Sequence, residues 1–290
     1  MGKGLCASSP AAAEVFEQAD EMLGYPLSEI CFHGPKETLN DTAVTQPALL
    51  ATSVAILRVL EDQLEGAPAF VAGHSLGEFT ALVAAGALSF EEALHLVERR
   101  GELMKSADEQ SPGGMAAVIG LDAPEVAAAC REAQERTGGY VGIANDNCPG
   151  QVVISGDEET LAAGTELVEA AGARRVIRLA VSIAAHSPLM AEAATAFREA
   201  LGEAPIRPPT IPVVTNAAAR PVEDPGALRA ALAKQLTSPV RWTESIRWMI
   251  DQGATRFIEV GPKDVLTGLL RRIDRSVERE TAEQALGREI

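Results

Sequence analysis

Pro68-Ala69-Phe70-Val71-Ala72-Gly73-His74-Ser75-Leu76-Gly77-Glu78 is the stretch that decides the architecture of this chain. Its first five residues read as a buried strand, and Glu78 to Ala85 reads as a helix. Ser75 stands between them with Gly73 and Gly77 two residues to either side. A strand, a sharp turn and a helix present a serine hydroxyl clear of the backbone, and the flanking glycines let strand and helix pack closely. This is the geometry of a nucleophile. Any apolar run ending in Gly-X-Ser-X-Gly is also simply a small-residue turn, so the chemistry must be sought in further residues.

Outward from this turn, helices and strands alternate. Pro47 to Leu60 reads as a helix, with Leu49, Leu50, Val54, Leu57 and Leu60 at helical spacing. Phe90 to Met104 reads as another, capped by Ser89, and Gly113-Gly114 then breaks the chain. Next come strand 115–119, helix 123–137, strands 140–144 and 151–155, helix 158–171 and strand 174–179. That order, βαββαβ, is the ferredoxin-like unit. Helix 188–201, strand 211–215, helices 227–236 and 245–252 and strand 256–260 complete the pattern. The expected fold is α/β, with a mostly parallel sheet in a large subdomain of residues 1–112 and 181–290 and a small ferredoxin-like subdomain of 113–180. Ligands of such sheets bind at the carboxyl ends of the strands, where Ser75 lies.

At 290 residues with 47% hydrophobic content, the chain can fill one large core with an insertion. No run reaches the roughly 18 uninterrupted apolar residues of a membrane helix, and the first residues lack a signal-peptide core, so a cytoplasmic protein off the membrane is expected. Cys6, Cys31, Cys130 and Cys148 are scattered without ligand-like spacing, which indicates neither a metal site nor a disulfide framework. The formal charge of −16 argues against nucleic acid as partner. An acidic partner would need a local basic patch, and Arg174-Arg175 with Arg178, or Arg271-Arg272 with Arg275, are the candidates; solvated helix faces explain both equally well.

A serine nucleophile requires a base. Of the four histidines, His33 lies by a Gly-Pro loop, His95 falls in an amphipathic helix, and His74 adjoins the serine with its side chain directed away. His186, in the irregular segment Val181-Ser182-Ile183-Ala184-Ala185-His186-Ser187-Pro188, is the remaining candidate.

Several motifs in one order then resemble a known family: Thr45-Gln46-Pro47-Ala48, Gly73 to Glu78, Arg100-Gly101 with Met104, Asn147-Cys148-Pro149-Gly150-Gln151-Val152-Val153, His186-Ser187-Pro188-Leu189-Met190, Ser238-Pro239-Val240-Arg241-Trp242 and Glu259-Val260-Gly261-Pro262. Together they are similar to the malonyl-CoA:acyl carrier protein transacylases of fatty-acid synthesis and the acyltransferase domains of polyketide synthases. The likeness runs over nearly the whole chain. The family's hydrolase-like core with a ferredoxin-like insert agrees with the pattern already read.

The resemblance implies that Ser75 attacks the malonyl thioester with His186 as base, and that the malonyl-serine ester then passes its acyl group to the phosphopantetheine thiol of acyl carrier protein. It implies that the main-chain carbonyl of Gln235 orients His186, a contact expected to tolerate side-chain change. Arg100 matches the family's partner of the malonyl carboxylate, a role suited to a planar, always-charged fork. A surface-helix Arg100 would be the plainer alternative. Gln46 resembles a residue lining the same pocket, Asn147 a weaker match, and the Leu76 amide would supply one oxyanion donor. No cofactor is implied, the partners are malonyl-CoA and acyl carrier protein, and a monomer is expected. The carrier, acidic in this family, would dock on Arg271 and Arg272 or on Arg174 and Arg175.

Family members open with a strand ending in Gly-Gln-Gly-Ser-Gln, whose last residue supplies the second oxyanion amide. Met1-Gly2-Lys3-Gly4-Leu5 resembles the residues just after that motif, so the natural protein is expected to carry roughly one further strand and turn before it. A serine esterase or thioesterase, and an acyltransferase-like scaffold without activity, are the rival readings. The first would place an acidic residue in the triad. Ile183-Ala184-Ala185 matches neither familiar acyl-selecting pattern of polyketide relatives, and malonyl, with some methylmalonyl, is the expected acyl group.

Overall fold

The computed structural model describes residues 1–61, 63–64, 66–110 and 112–287. Four helices open the chain: α1 (Lys3–Ser8), α2 (Pro10–Leu23), α3 (Leu27–His33) and α4 (Lys36–Leu39). The signals that bound α2 are local, since Ser9 Oγ accepts from the Ala12 N–H, Pro10 occupies the first turn and Gly24 closes the helix at φ 70°. Next come α5 (Thr42–Glu61), β1 (Val71–Ala72), α6 (Gly77–Ala84) and α7 (Phe90–Gln110). By length and composition α5 could cross a membrane. Its apolar surface is spent inside the fold instead, with Leu50, Ala51, Val54, Ala55 and Ile56 fully buried and α2 and α7 packed along it.

Helix α5 begins five residues before Pro47, where the sequence reading started it. As the sixth residue of the helix, Pro47 forgoes one intrahelical bond and crowds the carbonyl four residues before it, a cost that packing on this turn must offset. The close approach of α7 holds this first turn, for a Cβ on Gly101 would lie 2.9 Å from Ala43 Cα and 3.1 Å from Thr42 O.

The insert contains β2 (Gly113–Ile119), α8 (Ala123–Thr137), β3 (Val141–Cys148), β4 (Gln151–Asp157), α9 (Glu158–Ala170) and β5 (Arg175–Arg178). Its sheet has the order β3-β4-β2-β5 with every neighbouring pair antiparallel, the ferredoxin-like arrangement. Val118, Val126, Cys130, Val152, Ile154, Leu161 and Val168 form a core of its own beneath α8 and α9. Strand β3 runs on to Cys148, past the expected Ala144, because it stays paired with β4 as far as Cys148–Gln151 across two irregularities. Its other edge is bridged by Val240, with Asp146 N–H donating to Val240 O and Val240 N–H to Ala144 O, both at 2.9 Å.

A 3-10 turn (Pro188–Met190) then leads to α10 (Ala191–Glu203), β6 (Val213–Val214), β7 (Pro221–Val222), α11 (Pro225–Gln235), α12 (Trp242–Asp251), β8 (Arg256–Glu259), α13 (Val265–Ile273), β9 (Glu278–Thr281) and α14 (Ala282–Leu286). Strands β1 and β6 are parallel, as are β8 and β9, whereas β7 runs antiparallel to β6. The mostly parallel core is therefore made of very short strands. Only Val71 and Ala72 of the expected strand pair, with Val213 and Val214, and Pro68 and Ala69 are exposed rather than buried. Two-residue pairing suffices here because its task is to set two neighbouring carboxyl ends side by side, one leading to Ser75 and the other to Asn216.

Candidate active site

The turn after β1 is held in a strained form. Ser75 has φ 51°, a left-handed conformation that costs a non-glycine residue on the order of 1–3 kcal/mol and persists only where the surroundings enforce it. The enforcement is visible on both sides of the residue. The Ser75 N–H donates to Asn216 Oδ1 at 2.6 Å, and its carbonyl accepts from Gln235 Nε2 at 2.9 Å. The glycines contribute unequally. A Cβ on Gly73 would lie 1.9 Å from the carbonyl carbon and oxygen of Gly77, so Gly73 is required. A Cβ on Gly77 would meet nothing within 4 Å, and the sequence reading that gave both glycines the same role holds only for Gly73.

His186, buried and also at positive φ (59°), closes on Ser75 from the segment returning from the insert. Its Nε2 lies 2.8 Å from Ser75 Oγ, and its Nδ1 lies 2.9 Å from the main-chain oxygen of Gln235 at the end of α11. A carbonyl can only accept, so Nδ1 carries the proton and Nε2 presents its lone pair to the serine hydroxyl. Burial, reinforced by the nearby Arg100 guanidinium, pushes the imidazole down to about 3, which keeps it unprotonated at neutral pH. Such a histidine can take the Ser75 proton as the oxygen attacks.

Arg100, on α7, reaches the same point from the other side and is 2% exposed. Its Nη2 donates to Ser75 Oγ at 3.2 Å and to Gln235 Oε1 at 2.9 Å, while Nη1 donates to Gln46 Oε1 at 2.6 Å. The Nε has no hydrogen-bond partner among the described residues. Burial lowers the guanidinium to about 10, which leaves it a cation at neutral pH. A buried cation one hydrogen bond from a serine hydroxyl has the chemistry to receive a carboxylate. A surface-helix role for Arg100 is overturned by its burial. Gln46 is fixed in place by Arg100 and by its own contact to Met104 Sδ at 3.3 Å.

Gln235 corrects an expectation. Besides offering its main-chain oxygen to His186, it commits its whole side chain: Nε2 donates to Ser75 O and, at 2.5 Å, to Glu78 Oε2, and Oε1 accepts from Arg100. Side-chain change there is not neutral. Glu78 and Asn216, which the sequence reading gave no role, complete the set. Their signal was position, since Thr215-Asn216 directly follows a strand neighbouring the one that leads to Ser75. Glu78 is 1% exposed, and burial pushes its carboxyl up to about 7.

His74 points away from the serine as expected. Its Nε2 donates to Asn147 Oδ1 at 2.7 Å and its ring meets Trp242 edge-on, which gives Asn147 a supporting contact. The Leu76 amide stands at the amino end of α6, beside Ser75, with no backbone acceptor among the described residues. The two arginine clusters, distant in sequence, approach through Arg174 and Arg272 at one end of the insert, whereas Arg178 lies at the other end of β5, bonded to Glu158 and Gly113 O. Arg174 N–H donates to Ile119 O, Gly120 N–H to Gly150 O, and Arg272 Nη2 to both Pro149 O and Gly150 O. Arg174, Arg175 and Arg271 are exposed around this seam, and Arg272, also exposed, is partly engaged by it.

A half-buried serine paired with a buried histidine at the carboxyl end of a parallel strand pair, in a hydrolase-like core carrying a ferredoxin-like insert, defines an acyl-transfer class of protein. Residues 1–289 match the family profile described as the acyl transferase domain, and the chain belongs to that family. It is 46% identical over 269 residues to the malonyl CoA-acyl carrier protein transacylase of Escherichia coli (strain K12), covering 93% of this chain and 86% of that protein. The structure of the malonyl CoA-acyl carrier protein transacylase from Coxiella burnetii superposes with a TM-score of 0.93 at 41% identity, covering 97% of this chain and 89% of the other. A malonyl-transacylase solved in complex with its type II polyketide-synthase acyl-carrier protein gives 0.92 at 42% identity, with 97% and 90% covered.

Proposed function

We propose that this protein is an acyl-carrier-protein S-malonyltransferase of fatty-acid biosynthesis, moving malonyl from malonyl-CoA to the phosphopantetheine thiol of acyl carrier protein. The observation that carries the reading is the buried Arg100 guanidinium 3.2 Å from Ser75 Oγ, in a site whose base is already neutral. Ser75 Oγ attacks the thioester carbonyl while His186 Nε2 accepts the hydroxyl proton. The tetrahedral intermediate, its oxyanion received by the Leu76 amide, expels the CoA thiolate, which takes the proton from His186. Arg100 holds the malonyl carboxylate throughout, with Gln46 fixing the guanidinium. In the second half-reaction the carrier thiol gives its proton to His186 and its sulfur attacks the malonyl-serine ester, and Ser75 recovers the proton. Both half-reactions draw only on protein groups.

The reading takes residues 113–180 as a small subdomain set over a large one formed by 1–112 and 181–290, in a cytoplasmic monomer that binds neither nucleic acid nor membrane. The relatives' names and the carrier-protein complex support the choice of partner. The exposed Arg174, Arg175, Arg271 and Arg272 are the proposed docking residues for an acidic carrier. Mass spectrometry of the protein mixed with malonyl-CoA tests the reaction. A malonyl adduct on Ser75 that carrier protein then removes is expected; rapid free malonate without carrier would make the protein a thioesterase, and no adduct would make it a scaffold.

A further inference from the structure

Among the buried residues described, Glu78 is the one carboxylate and Arg100 the one guanidinium, and the Gln235 amide stands between them. Resting on the malonyl-transfer reading, we infer that Glu78 is a positioning residue for that reaction, acting through Gln235 and Asn216 to fix the nucleophile and the carboxylate receptor together. The bonds run in two branches. Glu78 Oε2 accepts from Gln235 Nε2, whose amide also donates to Ser75 O and accepts from Arg100 Nη2. Glu78 Oε1 accepts from the Asn216 N–H at 3.4 Å, and the Asn216 side chain takes the Ser75 N–H on Oδ1 and donates from Nδ2 to Gly73 O at 2.6 Å. Both main-chain sides of the strained serine are therefore held by residues that also bond Glu78, Gln235 through the same amide nitrogen and Asn216 through its main-chain N–H.

Arg100 and the Ser75 carbonyl fix the direction of the Gln235 amide. The guanidinium can only donate and the Ser75 carbonyl only accept, so a flipped amide would aim its NH2 at Arg100 and its oxygen at Ser75 O, and the NH2 is left facing Glu78. Glu78 never touches the reacting atoms. Its contribution is that Ser75 Oγ, Arg100 Nη2 and the His186 acceptor carbonyl keep one arrangement, and a misplacement near 1 Å in such a set costs about 10²-fold in rate.

The test measures single-turnover malonyl loading of Ser75 from malonyl-CoA in the full chain and in Glu78→Gln, Gln235→Met and the double variant. Each single change is expected to slow loading about 10²-fold, mostly in the rate at saturation rather than in the malonyl-CoA concentration needed. The double variant should be no slower than the slower single one, because both act in one chain of contacts. Independent structural damage would multiply instead, to about 10⁴-fold, and that result overturns the inference. Gln235→Met keeps the main-chain carbonyl that orients His186, so it decides the matter even if Glu78→Gln does not fold: loading at the unmodified rate overturns the inference. An unmodified protein that loads no malonyl at all removes the transfer reading, and the inference with it, whereas normal loading with insensitive variants removes the inference alone.

Discussion

Replacing Glu78 by Gln should change how stability depends on pH, in a direction and amount that the burial of this carboxyl dictates. An ordinary glutamate releases its proton near 4.5, and burial pushes that of Glu78 up to about 7. Between these values the folded state binds the proton and the unfolded state does not, so stability falls as pH rises and levels off above about 7. With a sequence pI near 4.7, measurement is best begun about one unit higher, away from minimum solubility. From about pH 5.5 upward the remaining 1.5 units, at about 1.4 kcal/mol each, amount to about 2 kcal/mol. Glu78→Gln cannot titrate. Urea unfolding of both proteins from about pH 5.5 to about pH 9 should therefore show the stability difference between unmodified protein and variant shrinking by about 2 kcal/mol toward high pH, other groups cancelling in the comparison. Parallel curves would refute the reasoning, since they would mean that Glu78 titrates alike in the folded and unfolded chain.

Ser75→Ala should abolish malonyl adduct formation, and His186→Ala should slow it about 10²–10⁴-fold with the fold retained, both read by intact mass against time. Arg100→Ala should depress malonyl loading while sparing or improving acetyl loading, and an equal fall for the two thioesters would remove Arg100 as carboxylate receptor. Gly73→Ala should destabilise by more than about 4 kcal/mol, whereas Gly77→Ala should stay within about 1 kcal/mol, a contrast that thermal melts of the two variants check. Neutralising Arg271 and Arg272, or Arg174 and Arg175, should raise KM for carrier protein and flatten its salt dependence without altering malonyl loading; unchanged carrier kinetics in both pairs would exclude the patch.

The sequence displayed what is chemically distinctive and hid what depends on tertiary approach. Ser75 announces itself by the turn around it, and His186 by being the histidine left after three others are assigned. The ferredoxin-like unit was legible because its helices carry their own punctuation, such as the Asp122–Glu125 capping box before α8 and Gly138 after it. Glu78 and Asn216 had no such mark. A glutamate in the first turn of a helix is ordinary, and its burial exists only because α11 and the β6 loop close over it. The true start of α5 was hidden likewise, since the space opposite Gly101 that receives Thr42 and Ala43 belongs to a distant helix, α7. The shortness of β1 was equally unreadable, because β6, its partner, sets it.

A histidine steadied by a peptide carbonyl gains no full negative charge to offset the proton it takes, and the Arg100 cation opposes that proton further. The imidazolium is thus a fleeting carrier, suited to bonds whose departing atom needs little persuasion. When the CoA thioester is opened the departing atom is such a sulfur, since a thiol ionises at about pH 8.5, and when the serine ester is opened the imidazolium already stands 2.8 Å from the Ser75 oxygen that leaves. A small cofactor and a folded protein can then trade the same cargo through one serine, since each offers it the same sulfur.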